Sequence, residues 1–104
     1  MDKLFAYGTL MEEAFLREHI GRVPPSQRAV LKGFRAGMHP SAPHAIAEPE
    51  AGASIPGKVY EGVTPDEFEA IDRYEGVPER LYRRVAVTVE VGAWRADAWM
   101  YTKY

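Results

Sequence analysis

Cysteine is absent from the 104 residues. That excludes a disulfide framework, a zinc–thiolate site and a thiol nucleophile. Long apolar runs are also missing. The longest span a few residues, far short of the roughly 20 that cross a bilayer as a helix. The opening Met1-Asp2-Lys3-Leu4-Phe5 has none of the apolar core of a signal peptide. Nor is there an excess of one charge: 13 basic side chains face 15 acidic ones, a formal net charge of -2. A nucleic-acid module needs a basic face to neutralise phosphates, so that class is disfavoured. These absences lead to the expectation of a soluble cytosolic domain with no metal, cofactor, membrane or nucleic acid among its partners.

The chain does have core material, with 46% hydrophobic and 12% aromatic residues. Its length suits one domain spanning residues 1–104. Leu4-Phe5-Ala6-Tyr7 is a short apolar run stopped by Gly8, which predicts a buried strand. Residues 12–20 predict a short helix, with Phe15, Leu16, His19 and Ile20 on one side and Gly21 as its stop. Residues 28–38 predict a strand. Residues 37–56 carry Pro40, Pro43, Pro49 and Pro56. They predict a long surface loop with one brief strand at Ala45-Ile46-Ala47.

From Gly57 to Val63 apolar and polar residues alternate, as in a strand. The clearest local signal follows. Thr64 is an N-cap, Pro65 stands at the first helical position, and Glu67 completes a capping box. Val63 and Phe68 occupy the two positions of a hydrophobic staple. This helix should end near Gly76. Residues 82–91 alternate strictly, with Val85, Val87, Val89 and Val91 facing one way. Gly92 turns the chain into a last strand, Trp94 to Tyr101. The expected fold class is α+β: a small, mixed, curled β-sheet or barrel of five or six strands with two short helices.

The apolar stripe of the capped helix begins with Phe68 and Ile71. By helical periodicity it continues with Asp72 and Glu75. Two carboxylates therefore fall on the inward face. A buried carboxyl shifts its pKa upward rather than staying charged without a partner. Fraying of the helix before Glu75, leaving that residue in water, accounts for the pattern equally well.

At Tyr7-Gly8-Thr9-Leu10 a strand, a glycine turn and a helix follow at once. The free N–H groups of a helix start suit an anion such as a carboxylate. A capping box between Thr9 and Glu12 competes for the same donors. His39 and His44 lie in the proline-rich stretch without further ligands and make a poor metal site. Thr9, Ser26, Ser41 and Ser54 supply hydroxyls, but no Ser-His-Asp pattern. Tyr60, Tyr74, Tyr82, Trp94, Trp99 and Tyr101 either line a pocket or fill the core, and for most the core is expected.

Taken in order, Leu4 to Leu10, Gly57-Lys58-Val59-Tyr60, Ile71-Asp72-Arg73-Tyr74-Glu75-Gly76, Tyr82-Arg83-Arg84 and the final hairpin resemble the γ-glutamylcyclotransferase-like family, including its γ-glutamylamine cyclotransferase branch. The resemblance implies a small mixed barrel and a cofactor-free release of 5-oxoproline from a γ-glutamyl compound. It implies that Glu75 is the catalytic acid and base. Tyr7, Gly8, Thr9 and Leu10 would hold the glutamyl end, and Tyr82 and Arg84 would complete the substrate site. A related enzyme that removes a γ-glutamyl group from a larger metabolite, and a non-catalytic binder of small acidic amides, are the alternatives.

The chemistry suits such residues. Attack of the substrate's own α-amine closes a five-membered ring, so proximity supplies much of the rate. The remaining task is proton transfer. An ordinary glutamate near 4.3 that deprotonates an α-ammonium near 8 works against about 5 kcal/mol. Burial that raises Glu75 by ~2 units removes about half of that.

Overall fold

The computed structural model describes residues 1–8, 12–37 and 46–104. Its elements are β1 (Leu4–Ala6), α1 (Glu13–Ile20), β2 (Ser26–Gly37), β3 (Ile46–Tyr60), α2 (Pro65–Glu75), β4 (Tyr82–Val91) and β5 (Trp94–Lys103). The strands close into a barrel in the order β1-β3-β2-β4-β5. Neighbours are antiparallel except β1 and β5, which run parallel with Leu4 opposite Trp99. The Trp99 N–H donates to the Lys3 carbonyl at 2.9 Å and closes that seam. The expected α+β fold is thus the observed one, with five strands.

Two apolar clusters organise the molecule, and strand alternation divides residues between them. The barrel interior holds Phe5, Leu31, Ile55, Val59, Val89, Ala98 and Met100. Val85, Val87 and Val91 pack against this cluster, as the alternation of β4 predicts. Leu4, Ala6, Tyr60 and Tyr101 point the other way, to a helix layer with Phe15, Leu16, Phe68 and Ile71. The two helices pack there, and the rings of Phe15, His19 and Tyr74 meet in tilted and edge-on contacts.

Ile46 and Ala47 are in a strand as expected, but the stretch 48–56 is not the expected loop. It belongs to β3, which pairs with β2 from Ser26↔Tyr60 to Gly37↔Ile46. Two features let a proline-rich segment do this. β1 pairs only with Lys58, Val59 and Tyr60 of β3, so Pro49 and Pro56 lie where β3 pairs with β2 alone. Proline, which lacks an N–H, is tolerated on such an edge. The register also shifts between Lys32 and Phe34, where Gly33 and Gly52 take φ of +84° and +83°. The rest of the expected loop, with His39, Ser41 and His44, lies outside the described residues.

At α1 the N-cap is Glu12, which makes no side-chain cap hydrogen bond. A Thr9–Glu12 capping box needs Glu12 inside the first turn, so that expectation is corrected. Trp94 and Tyr74, at 79% and 49% exposure, are surface residues rather than core. Among the described residues no helix is long and apolar enough to cross a membrane.

Candidate functional site

The site is built on α2. Thr64 Oγ1 accepts from the Glu67 N–H at 3.2 Å, and Glu67 Oε1 accepts from the Thr64 N–H at 3.0 Å. The capping box is therefore formed, with Pro65 opening the helix. Val63 and Phe68, the staple pair, are both buried in the helix layer. At the other end Gly76 takes φ +71°, a left-handed cap. Fixed at both ends, α2 keeps helical geometry through Glu75 and does not fray. Its inner stripe is Phe68, Ile71, Asp72 and Glu75, as periodicity predicts.

Glu75 is 5% exposed, the one buried charged side chain among the described residues. Burial pushes its carboxyl up to about 7. Its place at the last residue of α2, the negative end of the helix dipole, acts in the same direction. The chain then folds back tightly. The Leu81 N–H donates to the Gly76 carbonyl at 3.0 Å, and Tyr82 returns at the start of β4.

Three tyrosine hydroxyls feel the Glu75 charge. Tyr7 is pushed up to about 12, by burial first and then by Glu75 and Tyr82, against a lowering hydrogen bond from Ala47. Tyr82 is raised by burial and by Glu75. Tyr101 is raised by burial, by its hydrogen bond to Asp72 and by the Asp72 charge; Arg84 opposes this, and Glu75 adds to it. The first strand and the end of the second helix, 68 positions apart from Tyr7 to Glu75, thus meet in one place.

Gly8 follows Tyr7 in a short turn with φ +71°, and a side chain there would meet no described atom within 4 Å. Glycine fits this backbone with least strain. Thr9 and Leu10 lie outside the described residues.

Arg84 is placed differently from a simple carboxylate receptor. Its Nε is 3.1 Å from Asp72 Oδ1 and its Nη2 donates to Oδ2 at 3.3 Å. The guanidinium lies over the rings of Phe68 and Trp99, 4.6 and 4.7 Å from their centroids. Tyr101 donates its phenolic proton to Asp72 Oδ1. Sequence reasoning left Asp72 without a partner and Tyr101 without a task. The hairpin register held a signal: counting back from the Gly92 turn sets Arg84 opposite Tyr101. Among the described residues no group of three or more His, Asp or Glu side chains is placed to hold a metal ion.

The relatives agree with this architecture. An AIG2-like protein C of Arabidopsis thaliana is 34% identical over 74 residues, covering 71% of this chain and 43% of that protein. The chain spans about half the length of the curated relatives it matches. An Arabidopsis thaliana protein studied in solution superposes with a TM-score of 0.86 at 26% identity, covering 98% of this chain and 68% of the other. A γ-glutamyl cyclotransferase structure superposes with a TM-score of 0.80 over 99% of this chain and 66% of its own, and at 18% identity it shares the fold. Residues 4–104 match the family described as "Gamma-glutamyl cyclotransferase, AIG2-like". The chain belongs to that family.

Proposed function

We propose that this chain is a γ-glutamyl cyclotransferase that releases 5-oxoproline from a γ-glutamyl amine or γ-glutamyl amino acid. The observation that carries the reading is the buried Glu75 carboxyl, held near 7 beside Tyr7 and Tyr82. A base near 7 takes a proton from an α-ammonium near 8 at a cost of only about 1.4 kcal/mol. An acid near 7 also gives that proton back readily at neutral pH.

In this reading the Glu75 carboxylate removes one proton from the α-ammonium. The freed amine nitrogen bonds to the γ-carbonyl carbon, and the carbonyl oxygen takes up negative charge. As the carbonyl re-forms, the bond to the leaving nitrogen breaks and protonated Glu75 donates its proton to that nitrogen. The ring nitrogen still carries a second proton, which the regenerated carboxylate takes up and passes to the departing amine; the products are the neutral lactam and an alkylammonium, and the carboxylate is restored. Tyr7, Gly8, Thr9 and Leu10 hold the glutamyl end, since backbone N–H groups suit an α-carboxylate or an oxyanion. Tyr82 walls the pocket on the β4 side. Arg84 contributes through Asp72 rather than by direct grip. Nothing in this scheme needs a cofactor.

The test is a panel of γ-glutamyl amines, γ-glutamyl amino acids and larger γ-glutamyl metabolites, read by 5-oxoproline release. Wild type should turn over at least one of them. Glu75→Gln should keep the unfolding profile and lose nearly all turnover. Binding without 5-oxoproline would make the chain a binder, and undiminished turnover in the variant would remove Glu75 from the reaction.

A further inference from the structure

Glu75 sits one turn along α2 from Asp72, and the two share an inner face that β4 and β5 cover. Among the described residues, charged and titratable groups tied to this face come from four elements. Asp72 is on α2 itself, Tyr82 and Arg84 are on β4, Tyr101 is on β5, and Tyr7 follows β1. Lys103 lies over the Tyr82 ring at 5.9 Å, and Arg80 lies over Tyr104 at 5.9 Å. Arg84 is the cation of this set that packs against α2, and a cation on that face has two carboxyls to choose from. Pairing with Glu75 would hold that group as a carboxylate and end its use as an acid.

We propose that Asp72 is a positioning residue: it locks Arg84 into a closed ion pair and thereby withholds that cation from Glu75. The proposal rests on the cyclotransferase reading for its purpose, but its geometry stands apart from it. The fork of the guanidinium meets both carboxylate oxygens, at 3.1 and 3.3 Å. The Nη2 hydrogen bond is charge-assisted, and the Nε contact adds a second point of attraction to the same carboxylate. The guanidinium also lies over the rings of Phe68 and Trp99, two cation–π contacts that help to hold it in place. Tyr101 donates to Oδ1 and fixes the carboxylate in turn. Burial is then the dominant influence on Glu75. The same lock explains why a cation beside the site is compatible with a glutamate that must carry a proton.

The prediction has opposite signs for the two partners. In Asp72→Asn the cation loses its counter-charge, and the Glu75 acid constant should rise by about tenfold or more. In Arg84→Gln the anion loses its cation, and the like charge one turn away should lower that constant. In the double variant Asp72→Asn/Arg84→Gln both charges are gone, and the wild-type midpoint should return. The readout is carbon-detected NMR titration of the Glu75 carboxyl in the full chain, which needs no substrate and no activity. Failure of the cyclotransferase reading would appear in the 5-oxoproline assay and leave this titration untouched. Shifts of the same sign in both single variants, or a midpoint that neither moves, would overturn the lock. A variant that does not fold leaves the other single variant to give its sign alone.

Discussion

The Tyr7 hydroxyl donates to the backbone carbonyl of Tyr101 at 3.0 Å and accepts from the Ala47 N–H at 2.9 Å. A phenol has one proton and two lone pairs. Tyr7 has committed its proton and one lone pair to the backbone of β5 and β3. Any further partner must be a donor, and the α-ammonium of the proposed substrate is one. Tyr7→Phe should therefore act twice. It orphans an N–H and a carbonyl at two buried residues, Ala47 and Tyr101, at a cost of about 1–3 kcal/mol. Urea unfolding should show a lower midpoint with an unchanged slope. The variant should also raise KM for the γ-glutamyl compound. An unchanged midpoint would mean that these hydrogen bonds carry no stability.

Glu75 gives the protein a stability profile of unusual sign. Its folded pKa, about 7, lies above the ordinary value of 4.5. Between those two pH values the folded state holds a proton that the unfolded state has released. Stability from this group is full below about 4.5 and is lost as pH rises through about 7. At about 1.4 kcal/mol per pKa unit the whole span is worth about 3 kcal/mol. Glu75→Gln should flatten that slope and match or exceed wild-type stability at pH 8. Denaturant unfolding at a series of pH values measures it. A wild-type slope of the opposite sign between pH 5 and 7, undisturbed in the variant, would refute the assignment.

Periodicity and capping carried the helix start and the valine face of β4; they put Glu75 on the inner stripe but left it open whether the helix held that far. These are local patterns, and both ends of α2 are written in residues that act on their immediate neighbours. The prolines of β3 misled because their tolerance depends on where β1 stops pairing, a fact about a strand far away in the sequence. Arg84 was legible as a cation near the site but not as a cation already matched. Its partners Asp72, Phe68 and Trp99 come from α2 and β5, and only the packed layer brings them together. Gly8 was read as a turn residue, and its φ of +71° gives the reason.

Gly57 tests how tightly the β1–β3 seam is built. A Cβ there would collide with the backbone carbonyl oxygen of Ala6 and lie 2.9 Å from two atoms of the Phe5 ring. The carbonyl belongs to the pairing of Ala6 with Lys58 and cannot swing aside as a flexible side chain would. Gly57→Ala should cost about 1–3 kcal/mol, the usual range for overpacking. Because β1 leads directly into Tyr7 and Gly8, turnover should fall together with stability. A thermal midpoint equal to wild type would show that the seam has room to spare.

The cap at the start of α2 supplies the complementary acid-side test. Arg22 donates to both oxygens of Glu67 at 2.7 Å, and Glu67 also accepts from the Thr64 N–H. The hydrogen bond from Arg22, then those at Thr64, hold the Glu67 carboxyl below its ordinary value against an opposing effect of burial. Here the sign reverses. Stability from Glu67 is present at neutral pH and is lost as pH falls through its lowered folded pKa. Glu67→Gln should therefore cost about 1 kcal/mol near pH 7 and progressively less in acid, where the wild-type carboxylate is itself protonated. Thr64→Ala should cost about 1 kcal/mol through loss of the reciprocal cap. Both changes act at the far end of the helix from Glu75, so turnover of folded enzyme should hold while the unfolding midpoint drops. A fall in turnover at constant stability would mean that the start of α2 communicates with its last residue.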